Sequence, residues 1–172
     1  AIWYDEFLIR GENFNNTIAE ALQKSGIPVT AETEKNVSNC PEIKVAVNLL
    51  ALLVCAERDV PLATVMLSLF GFTESELQEI RKRGGLSRKT SFTACVKAVA
   101  KEGDNLGNKT AKFLAWLDKN RLIAEFSSVG EVISRAVKET GYYAKIMASE
   151  FGGLRVKRLE RFIAECSVGG RK

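Results

Sequence analysis

The sequence predicts a mainly α fold: a bundle-like domain of about seven helices behind a small N-terminal strand–helix–strand piece. Three observations predict it. Ile43 to Ala56 is apolar apart from Lys44 and Asn48, which lie four apart on one stripe continued by Ala51 and Cys55. A helix apolar over most of its circumference is buried on several sides, so this segment is the expected core. Helix start and stop signals then recur along the chain, whereas strand-like runs are confined to its beginning.

Taken in order, Trp3–Arg10 reads as a short buried strand centred on Phe7, Leu8 and Ile9. Asn15 or Asn16 caps a helix with Ile18, Ala21 and Leu22 on one face, stopped at Gly26. Ile27–Thr30 follows as a second strand, at an edge or strand start because of Pro28. A strand–helix–strand unit cannot cover its own sheet faces, so residues 1–38 read as a fragment of a larger α/β domain. The polar run 31–40 marks the boundary, and 39–172 is expected to be helical throughout.

Pro41 suits the first turn of the core helix. A second helix runs from Val60 to Leu69 and turns at Phe70-Gly71-Phe72. Thr73, with Glu76 three residues on, is a capping-box start for a third helix, which Gly84-Gly85 stops. Ser91 caps a helix through Phe92, Cys95, Val96 and Val99, and Gly103 to Asn108 reads as a break. A longer helix uses Phe113, Trp116, Leu117 and Ala124. Ser127 or Ser128 caps the next, with Val129, Val132, Ile133 and Ala136 inward, ending at Gly141. Tyr142 to Phe151 forms a short helix before Gly152-Gly153. The last helix sets Val156, Leu159, Phe162, Ile163 and Cys166 on one face and Arg155, Arg158 and Arg161 on another.

The composition, 46% hydrophobic and 27% charged over 172 residues, is that of an ordinary globular chain. The apolar run at 43–56 is too short to span a bilayer and carries a lysine, so no membrane partner is expected. No signal peptide is visible, and Ala1 in place of a methionine suggests a piece of something longer. Histidine is absent, which removes the usual general base, Ser-His and Cys-His constellations, and the commonest zinc ligand. The four cysteines form no CxxC pair and are expected to act as small buried hydrophobes in a reducing cytoplasm.

Neither GxxxxGK[ST] nor GxGxxG occurs, and no close carboxylate pair sits in apolar surroundings. No self-contained active site is legible, and this stretch by itself is not read as an enzyme. Charge is more informative. Residues 11–80 hold four basic and ten acidic groups, net −6, while residues 81–112 hold nine basic and two acidic, net +7. Arg81, Lys82, Arg83, Arg88 and Lys89 span the double-glycine break, where cations could track phosphates; they also suit a solvated helix C-terminus. Arg155, Arg158 and Arg161 form a second cationic stripe. The turn at Gly71, feeding the helix capped by Thr73, reads either as a phosphate-binding amide cluster or as a plain helix–helix corner.

The chain also resembles a known family. Phe7-Leu8-Ile9-Arg10, Ile18 to Leu22 and Gly26-Ile27-Pro28-Val29 resemble a segment of superfamily 1 helicases, as do Cys40 to Lys44 and Leu49 to Leu53. Leu69 to Leu77 (LFGFTESEL) resembles the AddA and RecB-type helicase–nucleases, as do Glu139-Thr140-Gly141-Tyr142 and Leu154 to Leu159. The resemblance implies the 2B accessory subdomain of a UvrD/AddA-like ATP-dependent DNA helicase, with a small piece of the 2A motor domain at residues 1–38. UvrD-type members carry Gly-Ile-Gly where this chain has Gly71-Phe72-Thr73, which favours the AddA/RecB branch.

What the resemblance implies follows the family. The parent would be an ATP-dependent DNA helicase or helicase–nuclease of repair or recombination, its ATP and magnesium held in motor domains outside this stretch. Duplex or forked DNA would be the partner; the charge reading above puts the contact at Arg81, Lys82, Arg83, Arg88 and Lys89, and the turn reading adds Gly71 and Thr73. The motor domains of the same chain and a nuclease subunit would be protein partners. The alternative is a regulatory helical module that docks on partner subunits and binds no DNA.

Overall fold

The computed structural model describes residues 40–85 and 90–168. The strand–helix–strand expectation falls on 1–38, outside the described residues. The chain divides into two units, Ala1–Cys40 and Pro41–Lys172. The second holds eight helices among the described residues: α1 Pro41–Val54, α2 Asp59–Leu69, α3 Glu74–Gly84, α4 Phe92–Val99, α5 Asn105–Ala124, α6 Val129–Glu139, α7 Tyr142–Met147 and α8 Gly152–Val168. The described residues contain no strand, and the fold is mainly α.

The apolar helix takes the central place. α1 packs against α2, α5, α6 and α8, and Ile43, Leu49 and Leu52 are buried between these helices. Its outward stripe is the polar one, with Lys44 exposed and Asn48 half-buried. Asn48 donates its side-chain amide to the Lys44 carbonyl at 2.8 Å, satisfying itself locally on that stripe. The core continues through Leu62, Val65 and Met66 of α2, Ile80 of α3, Val96 of α4, Phe113 of α5 and Ile133 of α6.

The caps form where side chains can reach free amides. Thr73 and Glu76 make a reciprocal capping box on α3, and Ser128 and Glu131 make another on α6. Ser91 Oγ accepts from the Ala94 amide at the start of α4.

Several expectations need correction. The break at Gly103–Asn108 is shorter, because Asp104 caps the chain by accepting from the Gly107 amide at 2.7 Å, and α5 begins at Asn105. The helix expected through Phe151 stops at Met147; Phe151 takes φ 57° and α8 starts immediately at Gly152. Val129, expected inward, is exposed at the first position of α6. Cys55, expected to be buried, is exposed just past the end of α1; Cys40 and Cys95 are buried and Cys166 is half-buried.

Candidate nucleic-acid interface

The cation-rich stretch begins on the last turn of α3. This is where the helix dipole favours positive charge, and Arg81, Lys82 and Arg83 all lie there. The three serve different purposes. Arg81 is half-buried and donates through Nη1 to the Thr90 carbonyl at 2.6 Å and to Cys95 Sγ at 3.5 Å. It therefore fastens the end of α3 to the residue at which the described chain resumes after 86–89.

Arg83 is enclosed by carboxylates. It donates to Asp104 at 2.5 Å, Glu79 at 2.9 Å and Glu102 at 2.9 Å, joining α3 to the α4–α5 connection. Asp104, then Glu79 and Glu102, hold its guanidinium above the ordinary arginine range. The same ion pair, with the Gly107 amide, holds the Asp104 carboxyl below its usual range. Lys82 is exposed and has no ion-pair partner among the described residues. Arg88 and Lys89 lie outside the described residues.

The backbone around this edge is tightly specified. A Cβ on Gly84 would lie 2.2 Å from the Cys95 Cβ and 2.3 Å from its Cα, so glycine lets α3 and α4 touch backbone to side chain. Asp59, at the first position of α2, accepts from the Phe92 amide at 2.8 Å and from the Thr93 amide at 3.1 Å. A carboxylate from one helix thus caps another, fixing where α4 begins.

The Phe70–Thr73 turn sits elsewhere on α3, at its N-terminus, and is packed against α5. Phe70 meets Phe113 and Trp116 edge-on at 4.9 and 4.7 Å between ring centres. Gly71 takes φ 62°, a left-handed conformation that a glycine adopts without strain. Lys109 Nζ donates to the Gly71 carbonyl at 3.1 Å and to both oxygens of Glu76, and lies 4.3 Å over the Phe72 ring. Glu76 accepts from the Thr73 amide at 2.8 Å while Thr73 Oγ1 accepts from the Glu76 amide. Lys109 and the Thr73 amide keep the Glu76 carboxyl below its usual range. Two of the amides that an anion would need are therefore already bonded within the turn, beside a carboxylate.

The second arginine stripe has a different use. Glu42, in the first turn of α1, is fully buried, and it accepts from Arg155 Nε at 3.1 Å and Arg158 Nη1 at 2.8 Å. Burial pushes its carboxyl up, but its own backbone amide and the two guanidiniums outweigh burial and hold it below the usual range. Arg161 instead pairs with Glu165 one turn along α8, on the surface. Lys97 and Lys101, which the sequence reading did not single out, are also exposed and fall within the +7 stretch. The regional charge was the available signal. Among the described residues no cluster of three metal-ligating side chains occurs, and no helix is long and apolar enough to cross a membrane.

No family model matches the chain. Curated proteins do. It is 36% identical over 141 residues to the ATP-dependent helicase/nuclease A-subunit of Thermoanaerobacter sp. (strain X514), covering 81% of this chain and 11% of that protein. The Oceanobacillus iheyensis protein of the same name is 32% identical over 156 residues, covering 88% and 12%. The Acetivibrio thermocellus one is 29% identical over 149 residues, covering 86% and 12%. The chain thus spans 11 to 12% of the length of these relatives. Its class is set by this: a helical segment homologous to part of a large ATP-dependent helicase/nuclease protein. The chain is similar to that one segment of the helicase/nuclease A-subunits.

Proposed function

We propose that residues 39–172 form a 2B-like accessory domain of an ATP-dependent DNA helicase or helicase–nuclease, contacting duplex or forked DNA and regulating its unwinding. The parent acts in DNA repair or recombination in the cytoplasm. The observation that carries the reading is the similarity to the helicase/nuclease A-subunits, joined to a +7 stretch whose exposed members include Lys82, Lys97 and Lys101. Lys82, Arg88 and Lys89 bind the phosphates. Arg81 and Arg83, each bonded within the domain, hold the edge in place. Gly71 and Thr73 shape the corner that sets α3 on α5. ATP and magnesium belong to the motor domains of the same polypeptide, which with a nuclease subunit are the protein partners.

The test is fluorescence anisotropy of a labelled forked duplex titrated with the 172-residue chain. Binding weakens as salt rises, and the variant K82A/R88A/K89A both weakens it and flattens its salt dependence, by about 0.9 in log–log slope for each phosphate no longer neutralised. Binding that ignores salt, or that survives the triple substitution unchanged, overturns the DNA role.

A further inference from the structure

Three large apolar side chains that the fold leaves in water converge at one end of the domain. Val54 ends α1 and is 84% exposed, Leu122 in the last turn of α5 is 65% exposed, and Val129 opens α6 at 41%. All three line a groove of about 740 Å³. Isolated apolar side chains at a surface are ordinary; several around one concavity, with a charged rim, mark an interaction site.

The groove is preformed. Arg121 donates through Nε to the Leu53 carbonyl at 3.1 Å, satisfying a free carbonyl at the end of α1 and tying that end to α5. The rim beyond Arg121 carries Asp118 and Glu125, both exposed carboxylates. An apolar floor with acidic edges complements one kind of guest.

We propose that this groove docks an amphipathic helix of a partner protein, apolar on the face it inserts and basic along its flanks. The site is separate from the proposed DNA edge. Arg83 meets Asp104 at the N-terminus of α5 while Leu122 lies near its C-terminus, and 20 helical residues span about 30 Å. Docking here does not depend on DNA binding.

The test uses the whole 172-residue chain and two labelled model peptides, a Leu/Lys amphipathic helix and its Leu/Glu counterpart. The Leu/Lys peptide binds saturably, at least tenfold more tightly than Leu/Glu. The double variant L122D/V129D weakens it at least tenfold, with the far-ultraviolet circular dichroism and forked-duplex affinity unchanged. D118K/E125K, altering only exposed rim positions, reverses the preference between peptides. Equal affinity for the two peptides, no binding of either, or indifference to both variants overturns the proposal. So does self-association in sedimentation velocity that L122D/V129D abolishes, which assigns the groove to a second copy.

Discussion

Arg158 Nη1 meets Glu42 Oε1 at 2.8 Å across 116 positions of sequence, and the carboxylate it meets is fully buried. With Arg155 on the other oxygen, the pair ties the first turn of α1 to α8. Replacing Glu42 by Gln leaves two guanidiniums facing a neutral group. Both arginine side chains are about a quarter exposed, so water relieves part of the loss. The expected cost is about 2–3 kcal/mol, at or below the range for a broken buried pair, read from urea unfolding midpoints.

The same carboxylate shapes the response to acid. Its folded value lies below the ordinary 4.5, so its stabilisation is fully present above that pH and is lost as pH falls through the lower folded value. Glu76 and Asp104 are shifted in the same direction and share this acid limb. Unfolding free energy should therefore rise from strongly acid solution to about pH 5 and flatten above it. E42Q should show a shallower rise. Equal slopes for both proteins would contradict the assignment.

Lys82 and Arg83 are neighbours in sequence with opposite expected phenotypes. Lys82→Ala should lower forked-duplex affinity and leave the melting temperature within the scatter of surface substitutions, about 0.5 kcal/mol. Arg83→Ala leaves Glu79, Glu102 and Asp104 without their shared cation, and should lower the melting temperature measurably.

Gly84→Ala places a methyl carbon 2.2 Å from the Cys95 side chain and 2.3 Å from its backbone, neither of which can swing aside. The helices must separate, at an expected cost of about 1–3 kcal/mol by thermal denaturation. Wild-type stability in this variant would show that α3 and α4 do not pack as closely as described.

Thr73→Ala removes one half of a capping box and should cost about 1 kcal/mol. Because the turn amides are bonded internally, forked-duplex affinity should stay the same. A large drop in affinity with unchanged stability would return the turn to the DNA interface.

Much of this fold is written locally. Pro41, Thr73 with Glu76, Ser91 and Ser128 announce helix starts, and the three capping bonds, each spanning three residues, form. The apolar circumference of α1 declares its central position without reference to any other helix. Long-range pairings carry no such signature. Glu42 lies beside an apolar run, and Arg155 and Arg158 share a face three positions apart. Nothing local says that these groups meet. The cationic stripe of α8 was therefore open to reading as an outward surface. Arg83 looked equivalent to Lys82 for the same reason: its partners at 102 and 104 arrive only once α3, α4 and α5 have packed. The helices were legible, whereas the sorting of the basic side chains into internal ties, such as Arg83, and exposed cations, such as Lys82, was not.

The uneven burial of the four cysteines gives the domain a chemical address. Cys95 is wholly shielded between α3 and α4, Cys40 is also buried, and burial pushes the half-buried Cys166 thiol up, reducing its thiolate. Cys55 alone is exposed, one residue beyond Val54. A maleimide dye should therefore label the unmodified native chain at Cys55 first, with no cysteine engineered in or out. One residue along the chain from the groove-lining Val54, that dye becomes an optical gauge of when the groove fills.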